Sequence, residues 1–318
     1  MNTPRSYLRY EQPFQVPIRT ARGVWKERVS WVFRELREGG TVSYGEIAPI
    51  PGLREIPENE IRKEAELWLK EGGQNEDFNF LGPALSCLNS SVWKFSSDST
   101  SFLKTTARLW GMNASWNGSV IKRKIGINPI DDELPAVLEW LKTLPDHFRV
   151  RLDANESFSR DCFLKWADAL EGNQKIEFIE QPTGKDDDDW LINMTSQTSV
   201  PIALDEALFR MYEPSLITSL PKKLFLIIKP VLFPDWFNLF ANLKYRMNRV
   251  VFSTAFESPF GYESIIRLAA DATQVPGLER SCFYGNKYEF PQHHQSVLSS
   301  PSVSSEKLDR LWQKLHCS

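Results

Sequence analysis

Five short apolar segments between positions 120 and 229 each end on a charged residue, and these ends recur every 24 to 29 positions. In chain order, the charged ends are Lys124, Asp153, Glu180, Asp205 and Lys229. Apolar residues at helical spacing follow three of the segments, over residues 134–144, 160–170 and 235–247. One strand, one helix and their two loops take about that many residues in a (β/α) barrel. The pattern therefore predicts an α/β fold in which the C-terminal ends of the strands open onto one mouth.

Residues 1–96 have a different pattern, in which three strand-like segments precede a helix. The strands are predicted at 7–10, 24–33 and 42–47, and glycines at 39 and 40 mark the turn before the third. A helix is predicted from about Glu58, because apolar residues then fall at helical spacing as far as the glycine pair at 72 and 73. We therefore expect a small α+β domain ahead of a barrel that takes residues 97–290.

The C-terminal part of the chain contains two more predicted strands, at 250–254 and 280–284. Residues 291–305 are rich in Ser, Pro, Gln and His, which is typical of a linker. One helical face follows, formed by Leu308, Leu311, Trp312 and Leu315. Because this face needs something to pack on, we expect residues 291–318 to return to the N-terminal domain and complete it.

Composition narrows the class of protein. The chain has 318 residues, of which 42% are hydrophobic and 25% charged, as is ordinary for a globular protein. A net charge of -3 gives no indication of a nucleic-acid partner. No targeting segment and no apolar run long enough to cross a bilayer is visible, and the four cysteines lack metal-type spacing. We expect a cytoplasmic protein with reduced thiols and no membrane partner; the sequence does not indicate its oligomeric state.

Three of the strand ends carry carboxylates: Asp153, Glu180 and Asp205. Oxygen ligands without an adjacent His or Cys suit Mg²⁺ or Mn²⁺ rather than zinc. The alternative is that each acid caps the following helix or pairs with a nearby basic group. Three acids at matched strand ends favour the metal site. The run of four aspartates at 186–189 has a simpler explanation, since solvated acids stabilise the start of a helix.

Lysines lie on either side of these carboxylates. Lys122 and Lys124 are two positions apart on one strand, so their side chains point to the same face, which in a barrel is the interior. Beside a divalent cation and another ammonium group, the pKa of a lysine falls and the neutral amine can act as a base. Lys229 would approach from the opposite side of the mouth. The alternative is that these are ordinary surface lysines on an edge strand.

The strand-end motifs resemble those of the enolase superfamily and, within it, most closely those of the o-succinylbenzoate synthase family. The motifs are Lys-x-Lys at 122–124, Leu-Asp-Ala-Asn at 152–155, Phe-Ile-Glu-Gln-Pro at 178–182, Ala-Leu-Asp-Glu at 203–206 and Ile-Lys-Pro at 228–230. The stretches at 45–52 and 253–258 are similar to a capping-domain loop and a later barrel strand of the same family. The resemblance implies a modified (β/α)₇β barrel under an α+β capping domain built from both termini.

The resemblance also implies a role for each residue of the site. Asp153, Glu180 and Asp205 would hold Mg²⁺, with Mn²⁺ as a possible substitute. Lys124 would be the acid and base, Lys122 would lower the pKa of Lys124, and Lys229 would stabilise the intermediate. Ser253 and Thr254 would bind the far carboxylate of a small-molecule substrate. Capping-domain loops near Phe14 and Gly52 would shape the pocket around its tail.

The activity so implied is the syn dehydration of 2-succinyl-6-hydroxy-2,4-cyclohexadiene-1-carboxylate (SHCHC) to 2-succinylbenzoate, in menaquinone or phylloquinone biosynthesis. The alternative enzyme is a racemase or epimerase of N-acylamino acids or dipeptides, in which Lys124 and Lys229 act as two bases. A barrel without catalytic activity would leave metal affinity independent of Asp153. A glycoside hydrolase could use Glu180 and Asp205, but it would leave the three lysines unexplained.

Overall fold

The computed structural model of the protein describes residues 5–20, 23–53, 55–94, 101–102, 108–109, 118–213, 215–279 and 299–316. The first part is an antiparallel sheet of three strands in sequential order, which we call the cap sheet. Its strands are β1 (Arg5–Thr20), β2 (Gly23–Leu36) and β3 (Val42–Ile47). Gly39 and Gly40 both have positive φ in the turn between β2 and β3, where the sequence predicted it.

Two helices pack on the cap sheet, α1 (Glu58–Glu71) and α2 (Gly82–Asn89). The buried face of α1 is formed by Ile61, Ala65 and Trp68, in agreement with the predicted helical spacing. The α2 helix approaches β3 so closely that a β-carbon at Gly45 would collide with the backbone of Ala84. The predicted three strands and helix are therefore confirmed, and α2 is an additional element.

The second part is a curled, seven-stranded sheet whose neighbouring strands are all parallel and follow chain order. A short strand precedes it, β4 (Ser101–Phe102). The seven strands are β5 (Arg108–Leu109), β6 (Val120–Lys124), β7 (Arg149–Asp153), β8 (Ile176–Glu180), β9 (Ile202–Leu204), β10 (Phe225–Ile228) and β11 (Val250–Phe252). The predicted α/β barrel architecture with an α+β cap is thus observed.

Helices connect the barrel strands. They are α3 (Ile130–Thr143), α4 (Arg160–Ala169), α5 (Asp188–Met194), α6 (Glu206–Arg210), α7 (Leu216–Ser219), α8 (Trp236–Leu243) and α9 (Pro259–Ala269). Side-chain caps begin several of them: Ser159 accepts a hydrogen bond at the start of α4, and Asp235 does so at the start of α8. The α8 helix ends earlier than predicted, because the chain turns at Arg246, whose guanidinium donates to four backbone carbonyls.

The C-terminal segment contains β12 (Ser299–Ser300), which pairs with β4, and α10 (Ser305–His316). Trp312 is buried on α10, and its ring lies near the rings of Tyr44 in the cap and Phe260 in α9. Asp309 accepts a hydrogen bond from Arg34 at 2.9 Å. The tail helix therefore contacts both parts of the molecule.

Several sequence predictions fall on residues that the structure does not describe. The strand predicted at 280–284 and most of the linker at 291–305 are among them. The proposed boundaries near residues 96 and 290 also lie there, so the division of the chain at those points stays a prediction. Within the described residues, no helix combines the length and apolar character needed to cross a bilayer.

Candidate active site

The C-terminal ends of neighbouring barrel strands bring the predicted carboxylates together. Asp153 ends β7 and is in register with Glu180, which ends β8. Asp205 directly follows β9. The exposed fractions of these residues are 5%, 2% and 8%, respectively. Buried carboxylates this close to one another repel, so the site needs positive charge to hold it together.

Two lysine ammonium groups supply that charge. Lys122 on β6 donates to Glu180 Oε1 at 2.7 Å and lies 3.0 Å from Asp153 Oδ2, so it bridges the two carboxylates. Lys229, which follows β10, donates to Asp205 Oδ2 at 2.5 Å. Burial by itself lowers the pKa of both lysines, but the nearby carboxylates outweigh it and the pKa of each is raised. Both ammonium groups are therefore charged in this arrangement.

The pKa values of the three carboxyl groups respond to the balance between burial and these cations. Burial raises the pKa of Glu180 to about 7, although Lys122 opposes the change. Burial likewise raises the pKa of Asp205, with Lys229 opposing it. For Asp153 burial acts in the same direction, but the charges of Lys122 and Lys124 lower its pKa overall. The cations thus keep part of the buried negative charge ionised.

Lys124 lies at the end of β6, in register with Asp153. It is exposed, whereas Lys122 is half-buried. The sequence predicted that both lysines are interior. The difference arises because Lys124 is the last residue of its strand and lies at the rim, while Lys122 lies one layer deeper. The charges of both lysines lower the pKa of Asp153.

The chemistry of the donor set suits a hard divalent cation. The three acids offer only oxygen atoms, and their close charged neighbours are ammonium groups that a metal ion can replace. Across the described residues, no group of three or more His, Cys, Asp or Glu side chains is already arranged around a metal position. The ammonium group of Lys122 lies between two of the carboxylates. The role of these acids as metal ligands stays a prediction.

Gln181 is a supporting residue that the sequence analysis did not single out. It is fully buried, and its side-chain oxygen accepts hydrogen bonds from the backbone N–H groups of Asp205 and Ala207, at 3.1 and 3.0 Å. It therefore links the end of β8 to the turn that carries Asp205. In the sequence, only its position directly after Glu180 hints at this role. In the structure, Gln181 has a positive φ of 36°, which is uncommon for a residue other than glycine.

The aspartate run at 186–189 is only partly solvated, which corrects the prediction. Asp188 is buried and accepts hydrogen bonds from Arg210 at 2.8 and 2.9 Å. Arg210 also pairs with Glu156, which follows β7. The sequence did not indicate this cluster because its members come from three different loops. It joins the segments that follow β7, β8 and β9.

Ser253 and Thr254 follow β11, on the neighbouring strand to Lys229. The backbone N–H of Ser253 donates to the carbonyl of Ile228 at 2.9 Å. The hydroxyl of Thr254 donates to Glu257 at 2.6 Å and accepts from the N–H of Phe256 at 3.0 Å. The two residues therefore lie at the barrel mouth where the sequence placed them, and their contact with a substrate stays a prediction.

Comparison with known proteins finds relatives with similar sequences and folds. Residues 114–215 match the family described as enolase C-terminal domain-like. The o-succinylbenzoate synthase of Thermosynechococcus vestitus is 29% identical over 291 residues, covering 81% of this chain and 86% of that protein. The chain therefore resembles members of the enolase superfamily. The o-succinylbenzoate synthase of Vibrio cholerae is 26% identical to this chain, covering 88% of the chain and 89% of that protein.

Solved structures of the superfamily have the same architecture. The o-succinylbenzoate synthase from Thermosynechococcus elongatus BP-1, complexed with Mg in its active site, superposes with a TM-score of 0.72 and 25% identity, covering 98% and 99% of the two chains. The L-Ala-D/L-Glu epimerase from Bacillus subtilis gives a TM-score of 0.70 with 18% identity, covering 89% and 90%. The second likeness is one of fold alone.

Proposed function

We propose that this protein is an enolase-superfamily enzyme and, within that superfamily, an o-succinylbenzoate synthase, a Mg²⁺-dependent lyase that dehydrates SHCHC to 2-succinylbenzoate. The observation that carries the proposal is that three buried carboxylates lie together at the barrel mouth and form ion pairs with lysines on two sides of it. The two curated relatives described above, which match most of the chain at 26–29% identity, support the choice within the superfamily.

In this proposal, Asp153, Glu180 and Asp205 hold the Mg²⁺ ion. When bound, the ion supplies positive charge that offsets the negative charge developing on the substrate carboxylate. The ammonium group of Lys122 lies between Asp153 and Glu180 and would have to move aside for these two carboxylates to hold the ion. Lys122 would remain one layer below Lys124 as a neighbouring cation.

Lys124 carries the proton transfers. Its neutral amine takes the proton from the ring carbon that bears the carboxylate, and the electron pair of that C–H bond becomes part of a new double bond. The protonated Lys124 then gives the proton to the hydroxyl on the same face as its C–O bond breaks, and water leaves. Lys124 ends as the neutral amine, the ring has become aromatic, and the elimination is syn.

Lys229 acts from the other side of the mouth. Its ammonium group lies against Asp205, at the far end of the carboxylate row from Lys122. From there its positive charge stabilises the anionic intermediate and holds the ring, by approach to the π face. It needs no proton transfer in the dehydration.

A racemase or epimerase is the second candidate, and the same geometry supports it. Lysines on opposite flanks of a metal-bound carboxylate could remove a proton on one face and return it on the other. In that case, Lys229 must exchange a proton, as Lys124 does.

The test is turnover of SHCHC by the purified protein with Mg²⁺, with and without a chelator, followed by the absorbance of the aromatic product. We expect Mg²⁺-dependent product formation that the chelator abolishes. Absence of the aromatic product, together with racemisation of an N-acylamino acid or dipeptide, would replace the proposal with its alternative.

A variant of Lys229 separates the two candidates further. Lys229→Arg keeps the positive charge, but a guanidinium stays protonated at neutral pH and therefore cannot accept a proton. A dehydratase retains part of its turnover in this variant, whereas a two-base racemase loses it. Lys142→Arg is the matched control, because Lys142 is exposed on α3 and pairs with Glu139.

A further inference from the structure

The segment of residues 253–258, which follows β11, has a backbone that depends on its surroundings. It begins beside Lys229, since the N–H of Ser253 bonds to the carbonyl of Ile228. Within it, Phe256 adopts a φ of 61°, a left-handed conformation that costs on the order of 1 kcal/mol or more for a bulky residue. Such a conformation persists only where neighbouring groups hold it.

Arg28 of β2 is one such group. It is 3% exposed, and its Nε donates to the carbonyl of Ala255 at 3.1 Å. The same guanidinium donates to the carbonyls of Ala48, at 2.5 Å, and Pro49, in the loop that follows β3. One buried side chain of the cap therefore joins two loops at the barrel mouth through their backbones. The planar fork of donors suits several carbonyl acceptors at once, which a lysine could not match.

Glu46 of β3 is a second buried charge of the cap that reaches this segment. It is 2% exposed and accepts hydrogen bonds from the N–H and the hydroxyl of Ser258, at 2.8 and 2.5 Å. It also accepts from the N–H of Gly261 at 3.1 Å, in the first turn of α9. A carboxylate is favourable at a helix N-terminus, where several N–H groups lack intrahelical partners.

Glu46 packs closely against the first turn of α9. A β-carbon at Gly261 would collide with the carboxylate of Glu46. On the third side of the segment, the ring of Phe14 in β1 meets Phe256 edge to face, with centroids 5.6 Å apart. Three cap residues, each from a different strand, therefore enclose residues 253–258.

We propose that Arg28 and Glu46 are positioning residues of the substrate pocket, which hold residues 253–258 in the conformation that receives the far carboxylate of the substrate. This inference rests on the proposed function, because it gives that segment a ligand. It assigns to the cap a part in substrate affinity that is exerted through backbone contacts rather than by touching the substrate.

The test compares Arg28→Met with Arg34→Met. Both arginines are on β2, but Arg34 pairs with Asp309 of α10 and so anchors the cap without contacting residues 253–258. We expect Arg28→Met to raise KM for SHCHC about tenfold, equivalent to about 1.4 kcal/mol, with a smaller change in kcat. In Arg34→Met, KM should stay within about twofold of the parent value even where the melting temperature falls equally.

A second measurement does not need activity. Hydrogen–deuterium exchange of backbone amides over residues 253–258 should be faster in Arg28→Met than in the parent protein, and unchanged in Arg34→Met. Absence of turnover in the parent protein would reject the proposed function. The exchange result would still show whether Arg28 holds residues 253–258. Unchanged exchange, or an unchanged KM in a folded Arg28→Met protein, would overturn the inference.

Milder variants cover the case in which Arg28→Met does not fold. Arg28→Lys keeps the positive charge but loses the planar set of guanidinium donors. We therefore expect a smaller rise in KM and a smaller increase in amide exchange than in Arg28→Met. Glu46→Gln keeps the shape of the side chain and should disturb KM and exchange less than Glu46→Ala. Equal effects of Glu46→Gln and Glu46→Ala on folding, with no effect on KM, would show that Glu46 is structural only.

Discussion

At the scale of single residues, the barrel mouth is an arrangement of like charges held together by counter-ions. Three carboxylates with exposed fractions of 8% or less are stable in one place because Lys122 and Lys229 contact them directly. The alternation of side chains along a strand predicted that Lys122 and Lys124 share a face. It could not predict which of them reaches the carboxylates, because that depends on the depth of each residue in the barrel.

The division of roles between the two lysines leads to a prediction. Lys124→Ala should lower kcat for the dehydration by about 100-fold or more, the usual contribution of a positioned acid or base. Its melting temperature should change little, because the direct contacts with Asp153 and Glu180 belong to Lys122. Steady-state kinetics and thermal unfolding measure the two effects.

A matched variant provides the control for that prediction. Lys142→Ala removes a lysine that is exposed on α3, and it should leave both kcat and melting temperature unchanged. If Lys124→Ala turned over SHCHC at the parent rate, Lys124 would not be the acid and base.

At the scale of helices and strands, the spacing of hydrophobic residues predicted which face of a helix is buried. It did not predict which residues that face packs against. The pattern of α10 predicted an apolar face, and Leu308 and Trp312 on it are buried. It could not show that Trp312 lies near both Tyr44 of the cap and Phe260 of the barrel, since both residues are distant in the sequence. Likewise, the sequence pattern predicts a solvated aspartate run, because nothing local indicates that Asp188 pairs with Arg210 at the end of α6.

The tail helix provides a stability prediction. Trp312→Ala removes a large buried side chain from the contact between cap and barrel, and it should lower the free energy of unfolding by about 3–5 kcal/mol. Denaturation in urea, followed by tryptophan fluorescence and circular dichroism, measures the change.

The control for this prediction is Phe237→Ala on α8. Phe237 is also aromatic but 83% exposed, so its removal should change the free energy of unfolding by less than about 0.5 kcal/mol. If the free energy of unfolding fell equally in the two variants, the packing of Trp312 between cap and barrel would not contribute to stability as described.

At the scale of the whole molecule, two patterns in the sequence predicted most of the fold. The regular interval between charged strand ends predicted the barrel, because every β-α unit repeats the same geometry. The glycine turn and the spacing of α1 predicted the cap. Contacts between cap and barrel could not be predicted, because nothing local distinguishes a buried Arg28 or Glu46 from an exposed charge. Their partners lie more than 200 positions along the chain.

Metal binding should stabilise the whole molecule if the carboxylates form a Mg²⁺ site. At a Mg²⁺ concentration 100 times the dissociation constant, the free energy of unfolding should rise by about 2.7 kcal/mol. Thermal unfolding over a series of Mg²⁺ concentrations measures this increase.

Asp205→Asn keeps the shape of one ligand and removes its charge, so its response to Mg²⁺ should be much weaker. An equal rise in melting temperature in the parent protein and in Asp205→Asn would indicate that the ion binds elsewhere.

The most direct measurement is anomalous diffraction from crystals of the protein grown with Mn²⁺, which takes the place of Mg²⁺ in oxygen sites. We predict one anomalous peak bonded to oxygen atoms of Asp153, Glu180 and Asp205, with the ammonium group of Lys122 moved out from between the first two. Crystals in which Lys122 still bridges Asp153 and Glu180, and in which manganese is absent from the barrel mouth, would contradict the account.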